Sequence, residues 1–260
     1  MMSAGAEHDP AVLILGGTGE ARHLAARLAT QPGLRVVSSL AGRVRDPALP
    51  AGEVRIGGFG GADGLADWLT EQHITAVIDA THPFAEAISA SAATASHRTG
   101  VPLLRVVRPP WQPGDADTWH EAGSLPEAAS MLPGLGRRVF LTTGRQGLAA
   151  FAPLAQIWFL IRCVDPPAGP VPPQCQVILA RGPYDLGAEC ALMSEHRIDV
   201  LVTKNSGGEL TAGKLAAARG LGIPVVMVRR PQLAGAPACC SSAADAESWL
   251  LARLPRNGAA

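Results

Sequence analysis

Apolar runs that end at glycine, each followed by an amphipathic stretch, alternate along the first half of the chain. Residues 11–15 form a continuous apolar run, which is typical of a strand buried in a parallel sheet. Residues 16–19 read Gly-Gly-Thr-Gly, and residues 21–28 then repeat apolar side chains at helical spacing. This order predicts a strand, a tight glycine turn and a helix.

The same alternation continues to about residue 107. Further strands are predicted over residues 34–39, 53–56, 76–79 and 103–107. Helices are predicted over residues 62–72 and from Pro83 to about residue 98, with Pro83 in the favoured first helical position. Strands that alternate with helices in this way predict a doubly wound parallel sheet.

A stretch rich in proline, glycine and aspartate, residues 108–117, predicts a linker, and a second alternating series follows it. Its predicted strands cover residues 138–141, 156–164, 176–180, 199–202 and 223–228. Helices are predicted after the first of these strands, over residues 185–196, up to about residue 219, and from Ser242. We therefore predict an α/β chain with a flexible leader (residues 1–10) and two Rossmann-like domains (11–110 and 111–260). Each has a parallel sheet flanked by helices, and the active site is expected in the cleft between them.

Composition narrows the class of protein. The 260 residues are 47% hydrophobic and carry a formal net charge of +0, which argues against nucleic acid or an acidic membrane surface as the main partner. We find no apolar run of membrane-spanning length and no signal-peptide pattern. The five cysteines form no C-x-x-C pair and have no histidine at metal-ligand spacing. We expect a cytoplasmic monomer with reduced cysteines and no metal site.

Candidate chemistry lies where the predicted strands end, since ligands of open parallel sheets bind beyond the carboxyl ends of the strands. The turn after the first strand suits a phosphate, because glycine lets the backbone approach it and the helix N-terminus attracts anions. The motif G-x-G-x-x-G is incomplete, with Arg22 in place of the third glycine. The cofactor-binding candidates here are Gly16, Gly17, Thr18, Gly19 and Glu20.

The end of the second strand bears on which dinucleotide binds. An NAD site usually carries an acid there, whereas this chain has Ser38 and Ser39 followed by Arg43. Two hydroxyls and a guanidinium suit a 2′-phosphate, which favours NADP over NAD. The alternative is that Arg43 is simply an exposed loop arginine. Gly58, in the glycine-dense loop after the third strand, is expected near the adenine or its ribose.

Thr81 and His82 follow the fourth strand, which is expected beside the first. His82 could line the nicotinamide pocket or donate a proton. It could equally be a helix-entry residue whose ring is satisfied by nearby backbone. Both residues are cofactor-site candidates.

Three loops of the second half each carry a cation among small polar residues. Arg145, Arg181 and Lys204 each fall in a loop between a predicted strand and a predicted helix, and cations beside helix N-termini suit carboxylates or phosphates. The alternative is that these cations merely flank helix starts. The remaining substrate-binding candidates are Thr143, Gly144, Gln146, Tyr184, Asn205, Ser206 and Gly207.

Several enzyme classes lose support. Short-chain dehydrogenases use Tyr-x-x-x-Lys, but the only tyrosine, Tyr184, has Ala188 at the lysine position. The chain also lacks the G-x-S-x-G elbow and the G-K-[ST] loop, which disfavours acyl and phosphoryl transfer.

Seven short motifs in order carry a resemblance to a known family. They are L-I-L-G-G-T-G-E-A, S-S-L-A-G-R, I-G-G-F-G-G, I-D-A-T-H-P-F-A, L-T-T-G-R-Q, R-G-P-Y and T-K-N-S-G-G. Over about residues 11–231 the chain resembles the precorrin-6A reductase family of cobalamin biosynthesis.

The resemblance implies NADPH-dependent reduction of precorrin-6A, a tetrapyrrole with acetate and propionate arms, to precorrin-6B. It implies hydride delivery to C19 and proton delivery to C18. Candidate proton donors are His82, Tyr184, Lys204, a bound water and a substrate carboxylic acid. Neighbouring enzymes of the pathway are candidate partners. The family also has a cobalt-precorrin branch, and a sensor that binds NADP without turnover is the competing class.

Overall fold

The computed structural model describes residues 9–42, 48–232 and 238–254, which divide into two compact units. The first comprises the described residues up to Arg108 together with those from Gln232 onward, and the second is Pro109–Pro231. In these residues no helix is long and apolar enough to cross a membrane.

The first unit is built on six strands. They are β1 (Ala11–Leu15), β2 (Arg35–Leu40), β3 (Glu53–Ile56), β4 (Ile74–Asp79), β5 (Leu103–Val106) and β12 (Ala238–Cys240). All pair in parallel in the order β12-β5-β4-β1-β2-β3. This is the strand order of a Rossmann fold, in which the direction of winding reverses between β1 and β4.

Helices cover both faces of this sheet. Helices α1 (Gly19–Leu28) and α7 (Ala243–Leu251) pack on one face, and α2 (Gly61–Glu71) and α3 (Glu86–Thr99) on the other. The continuous burial of β1, which the apolar run predicted, follows from this double cover.

The second unit repeats this strand order with a different sixth strand. Its strands are β6 (Trp119–Ala122), β7 (Arg138–Leu141), β8 (Trp158–Cys163), β9 (Cys175–Leu179), β10 (Val200–Lys204) and β11 (Val225–Val228). They pair in parallel in the order β6-β11-β10-β7-β8-β9. Its helices are α4 (Leu125–Met131), α5 (Leu186–Glu195) and α6 (Gly213–Gly220). Winding reverses between β7 and β10, so the two units share one architecture, and the predicted α/β fold with two parallel sheets is confirmed.

The structure corrects three details of the predicted organisation. Of the residues predicted as a 111–260 domain, the described ones from 232 onward belong to the first unit, because β12 pairs with β5 and α7 packs on α1. The helix expected after residues 138–141 is instead a four-residue 3-10 turn, Leu148–Phe151, between positive-φ glycines and Pro153. Strands β6 and β12 and helix α4 were not predicted, because each is too short to show a clear period.

Candidate functional site

The glycine turn between β1 and α1 is fixed on one side and open on the other. Gly16 donates from its N–H to the carbonyl of Ser39 (2.9 Å). A Cβ at Gly16 would touch Leu40 and Ser39 at 3.4 and 3.5 Å. Gly17 has a φ of +106°, and a Cβ there would meet nothing within 4 Å. Gly19 begins α1. The backbone at Gly17 is therefore accessible to a ligand.

Thr18 connects this turn to the end of β4. Its hydroxyl accepts a hydrogen bond from the N–H of Ala21 (3.1 Å), which caps α1, and donates to the carbonyl of Ala80 (2.7 Å). Since β1 and β4 flank the point where winding reverses, the cap holds the turn at the place where open α/β sheets bind ligands.

Glu20 and Arg108 form an ion pair beside the turn. Arg108 Nη1 lies 2.8 Å from Oε1 and 3.0 Å from Oε2 of Glu20. Burial raises the pKa of the Glu20 carboxyl, but the hydrogen bonds and the charge of Arg108 outweigh it and leave the pKa below its ordinary value. A small cavity lies here, lined by Thr18, Glu20, Ala80, Thr81, Pro83, Val106 and Arg108.

The end of β2 carries the two predicted serines. Both are buried, and among the described residues the hydroxyl of Ser38 has no hydrogen-bond partner. Arg43 lies outside the described residues. Gly58 is exposed, and Arg55 of β3 donates to the carbonyls of Gly57 (2.7 Å) and Gly58 (2.8 Å).

A buried carboxylate that sequence reasoning missed organises the end of β4. Asp79 accepts from the hydroxyl (2.6 Å) and the N–H (3.1 Å) of Thr81, from Ser89 Oγ (2.6 Å) and from Arg105 Nε (3.2 Å). Its carboxylate thereby fixes the turn that presents Thr81 and His82. His82 Nδ1 accepts from the N–H of Phe84 (3.2 Å), so a neutral ring carries its proton on Nε2.

In the second unit, the polar loop after β7 lies at the corresponding reversal point. Thr142 donates from both its N–H (3.0 Å) and its hydroxyl (3.1 Å) to the carbonyl of Val202 in β10. Thr143 is buried, and its hydroxyl has no partner among the described residues. Gly144 has a φ of +78° with open space around it. Arg145 and Gln146 follow. Burial raises the pKa of the Cys163 thiol at the end of β8, and the positive charge of Arg145 offsets part of this.

Hydrogen bonds to Trp111 and Arg230 fix the loop after β10. The side chain of Asn205 accepts from the N–H of Trp111 (2.8 Å) and donates to its carbonyl (3.1 Å). Arg230 donates to the carbonyls of Asn205 (2.8 Å) and Ser206 (3.1 Å), and a Cβ at Gly207 would lie 2.2 Å from the carbonyl of Pro109. The Asn205 amide is thus engaged in supporting its own loop.

Lys204, at the end of β10, is half-buried. Burial lowers the pKa of its ammonium group below the ordinary value for lysine. An amine with a lowered pKa gives up its proton more readily near neutral pH than an exposed lysine does.

Tyr184 rests on a buried ion pair that sequence reasoning also missed. The Arg162 guanidinium lies 3.6 Å from the centre of the Tyr184 ring and binds Glu189 through both terminal nitrogens (Nη2 to Oε2, 3.0 Å). The Tyr184 hydroxyl donates to the carbonyl of Ala180 (3.0 Å). Burial raises the pKa of the phenol, and Arg162 offsets only part of this. Arg181, in the same loop, is exposed.

Comparison with known proteins identifies the family. A sequence profile described as precorrin-6x reductase CbiJ/CobK matches residues 11–251. The chain belongs to this family. It is 59% identical to the precorrin-6A reductase of Rhodococcus erythropolis over 92% of this chain and 96% of that one. It is 53% identical to the precorrin-6A reductase of Mycobacterium tuberculosis over 94% of this chain and 98% of that one.

Two further matches compare the chain with a solved structure and with a cobalt-precorrin-6A reductase. A solved structure described as CobK precorrin-6A reductase superposes with a TM-score of 0.88 at 41% identity, covering 96% of this chain and all of that one. The cobalt-precorrin-6A reductase of Salmonella typhimurium is 30% identical over 85% of this chain and 87% of that one. The chain is thus more similar to these relatives named for the metal-free substrate.

Proposed function

We propose that this chain reduces precorrin-6A to precorrin-6B with NADPH, adding hydride at C19 and a proton at C18. The observation that carries the proposal is the 59% identity to a precorrin-6A reductase along almost the whole of both chains. The lower identity to the cobalt-precorrin enzyme, 30%, favours the metal-free substrate over the cobalt-bearing one.

The residues at the carboxyl edge of the first sheet fit a dinucleotide. The backbone at Gly17 is open, Thr18 holds the turn at the reversal point, and Gly19 starts a ten-residue helix. The hydroxyl of Ser38 is buried, has no partner in the described part of the chain, and lies near the end of β2, where an acid would repel a 2′-phosphate. These features support NADPH as the cofactor, with Arg43 proposed as a ligand of the 2′-phosphate.

The remaining cofactor candidates orient the nicotinamide end in this proposal. A bound nicotinamide supplies the hydride. Asp79 holds Thr81 at the end of β4, and His82 follows it in the same turn. Thr81 and His82 are the side chains proposed to line the nicotinamide end. Gly58 is proposed to border the adenine end.

The second unit is proposed to hold the tetrapyrrole through its carboxylate arms. Arg145, Arg181 and Lys204 supply positive charge at the carboxyl edge of its sheet, and Thr143 offers a buried hydroxyl without a partner among the described residues. Gly144 and Ser206 offer backbone groups in the same loops.

Lys204 and Tyr184 remain proton-donor candidates of the second unit in this proposal. Burial lowers the pKa of the Lys204 ammonium group, which favours loss of its proton, whereas burial raises the pKa of the Tyr184 phenol, whose hydroxyl donates to the carbonyl of Ala180. His82 remains a cofactor-site candidate.

Anaerobic incubation of the purified full-length protein with precorrin-6A and either NADPH or NADH tests the proposal. We expect oxidation of NADPH and a product heavier by two hydrogen atoms, with slower reaction from NADH. Tight NADPH binding without turnover would instead indicate a sensor. Faster reduction of cobalt-precorrin-6A would assign the chain to the other branch.

A further inference from the structure

A negative charge lies next to the turn proposed to take the cofactor pyrophosphate. Glu20 is in the first helical turn after the glycines, and its side chain lines the same small cavity as Thr18 and Thr81. An acid at a helix N-terminus stabilises the free helix, but it opposes an anionic ligand at the same place. The site therefore contains a conflict between helix stability and cofactor binding.

Arg108 lies where its positive charge can compensate the negative charge of Glu20. It directly follows β5 and Val107, so it lies at the carboxyl edge of the first sheet, and Nη1 contacts both oxygens of Glu20 at 2.8 and 3.0 Å. The pair is only part-exposed, with side-chain exposures of 19% for Arg108 and 31% for Glu20. Screening by water is consequently weaker than for a surface pair.

We propose that Arg108 is a positioning residue of the cofactor site, which neutralises Glu20 and so allows the glycine turn to accept a pyrophosphate. This inference rests on the proposed use of a nicotinamide dinucleotide. The role is compensation of charge and not recognition of the 2′-phosphate, so it applies equally to NADPH and NADH.

Three variants of the full-length chain, each titrated with NADPH and NADH, distinguish compensation of the Glu20 charge from direct binding of the cofactor by Arg108. Arg108→Gln leaves Glu20 uncompensated, and we expect it to weaken both cofactors about tenfold, the effect of one partly screened charge. Glu20→Gln removes the repulsion and is expected to bind at least as tightly as wild type. The double variant is expected to return to within about twofold of wild type, since the repulsion is gone. Added salt is expected to reduce the difference in cofactor affinity between Arg108→Gln and wild type, because salt screens the repulsion from Glu20.

An ion pair between the other end of α1 and α7 serves as control. Arg27, near the end of α1, donates to Glu247 (Nε to Oε2, 2.7 Å), and Arg27→Gln is expected to leave both affinities unchanged. If the double variant bound as weakly as Arg108→Gln, Arg108 would be a direct ligand and the inference would be wrong. Loss for NADPH alone, or wild-type affinity in Arg108→Gln, would also overturn it. Failure of the wild-type chain to bind either cofactor would refute the proposed function itself.

Discussion

The adjacent glycines Gly16 and Gly17, at the end of β1, differ in their surroundings and in their backbone conformation. Gly16 packs against β2, where a Cβ would make ordinary contacts of 3.4 to 3.6 Å with Leu40, Ser39 and Ala21. Gly17 has a φ of +106°, which side chains other than hydrogen rarely tolerate. The sequence motif alone marks both as glycine and does not distinguish them.

We therefore expect Gly17→Ala to be more damaging than Gly16→Ala. A positive φ strains alanine by about 1–3 kcal/mol, and relief of that strain would move the backbone on which the cofactor is proposed to rest. NADPH affinity and thermal midpoint should both fall in Gly17→Ala and stay near wild type in Gly16→Ala. Calorimetric titration and a thermal melt of the two proteins check this. Equal losses in both would mean that φ at Gly17 is not what the turn requires.

Sequence reasoning reached the loops of the candidate site but not their supports. The glycine turn, Thr81 and the cationic loops stand out because they interrupt apolar strands. The supporting residues Arg108 and Arg162 bind partners 88 and 27 positions away, and no local pattern carries such a pairing. Asp79 was similarly missed, because a single acid at a strand end indicates nothing until Ser89 and Arg105 are seen to surround it.

At the scale of elements, prediction succeeded where the apolar pattern extends over many residues and failed where it covers only a few. Strand β1 was predicted from a continuous apolar run of five residues, and helix α1 from apolar side chains that repeat at helical spacing over residues 21–28. The 3-10 turn after β7 was mistaken for a helix because its apolar residues, Leu148 to Phe151, are too few to define a period. Glycines with positive φ before it and Pro153 after it stop a helix from extending.

One buried ion pair joins β8 to α5. The Arg162 and Glu189 side chains are 5% and 3% exposed, so removal of one partner leaves a buried charge uncompensated. We expect Glu189→Gln to lower the free energy of unfolding by about 3–5 kcal/mol, and Arg162→Met with Glu189→Leu to recover most of it. Urea unfolding followed by tryptophan fluorescence measures both.

A surface pair in the first unit supplies the control for this comparison. Glu53 binds Arg35 at 2.9 Å but is 57% exposed, so Glu53→Gln is expected to cost about 0–1 kcal/mol. A similar small loss in Glu189→Gln would show that water reaches the buried pair.

At the scale of the whole molecule, both sheets have the same strand order, but their sixth strands come from different parts of the chain. The second unit takes its sixth strand, β6, from the segment before its other strands, whereas the first takes β12 from the far end of the chain. A three-residue strand gives no sequence signal, and a terminal helix can follow either unit equally well. The predicted 111–260 domain was therefore wrong for its last residues, although the alternation of strands and helices was predicted for both units.

The first unit should therefore depend on the C-terminal helix. Leu250 of α7 is fully buried in the core cluster that also holds side chains of α1, β1 and β5, whereas its neighbour Leu251 is 40% exposed. We expect Leu250→Ala to destabilise the first unit by about 2–5 kcal/mol through lost contacts and a cavity. Hydrogen exchange should then speed up in peptides from β1 and β5 and stay unchanged in β7 and β10, since those strands belong to the other core. Leu251→Ala should leave both sets unchanged. Faster exchange in β7 and β10 of the Leu250→Ala protein would show instead that the two units unfold together.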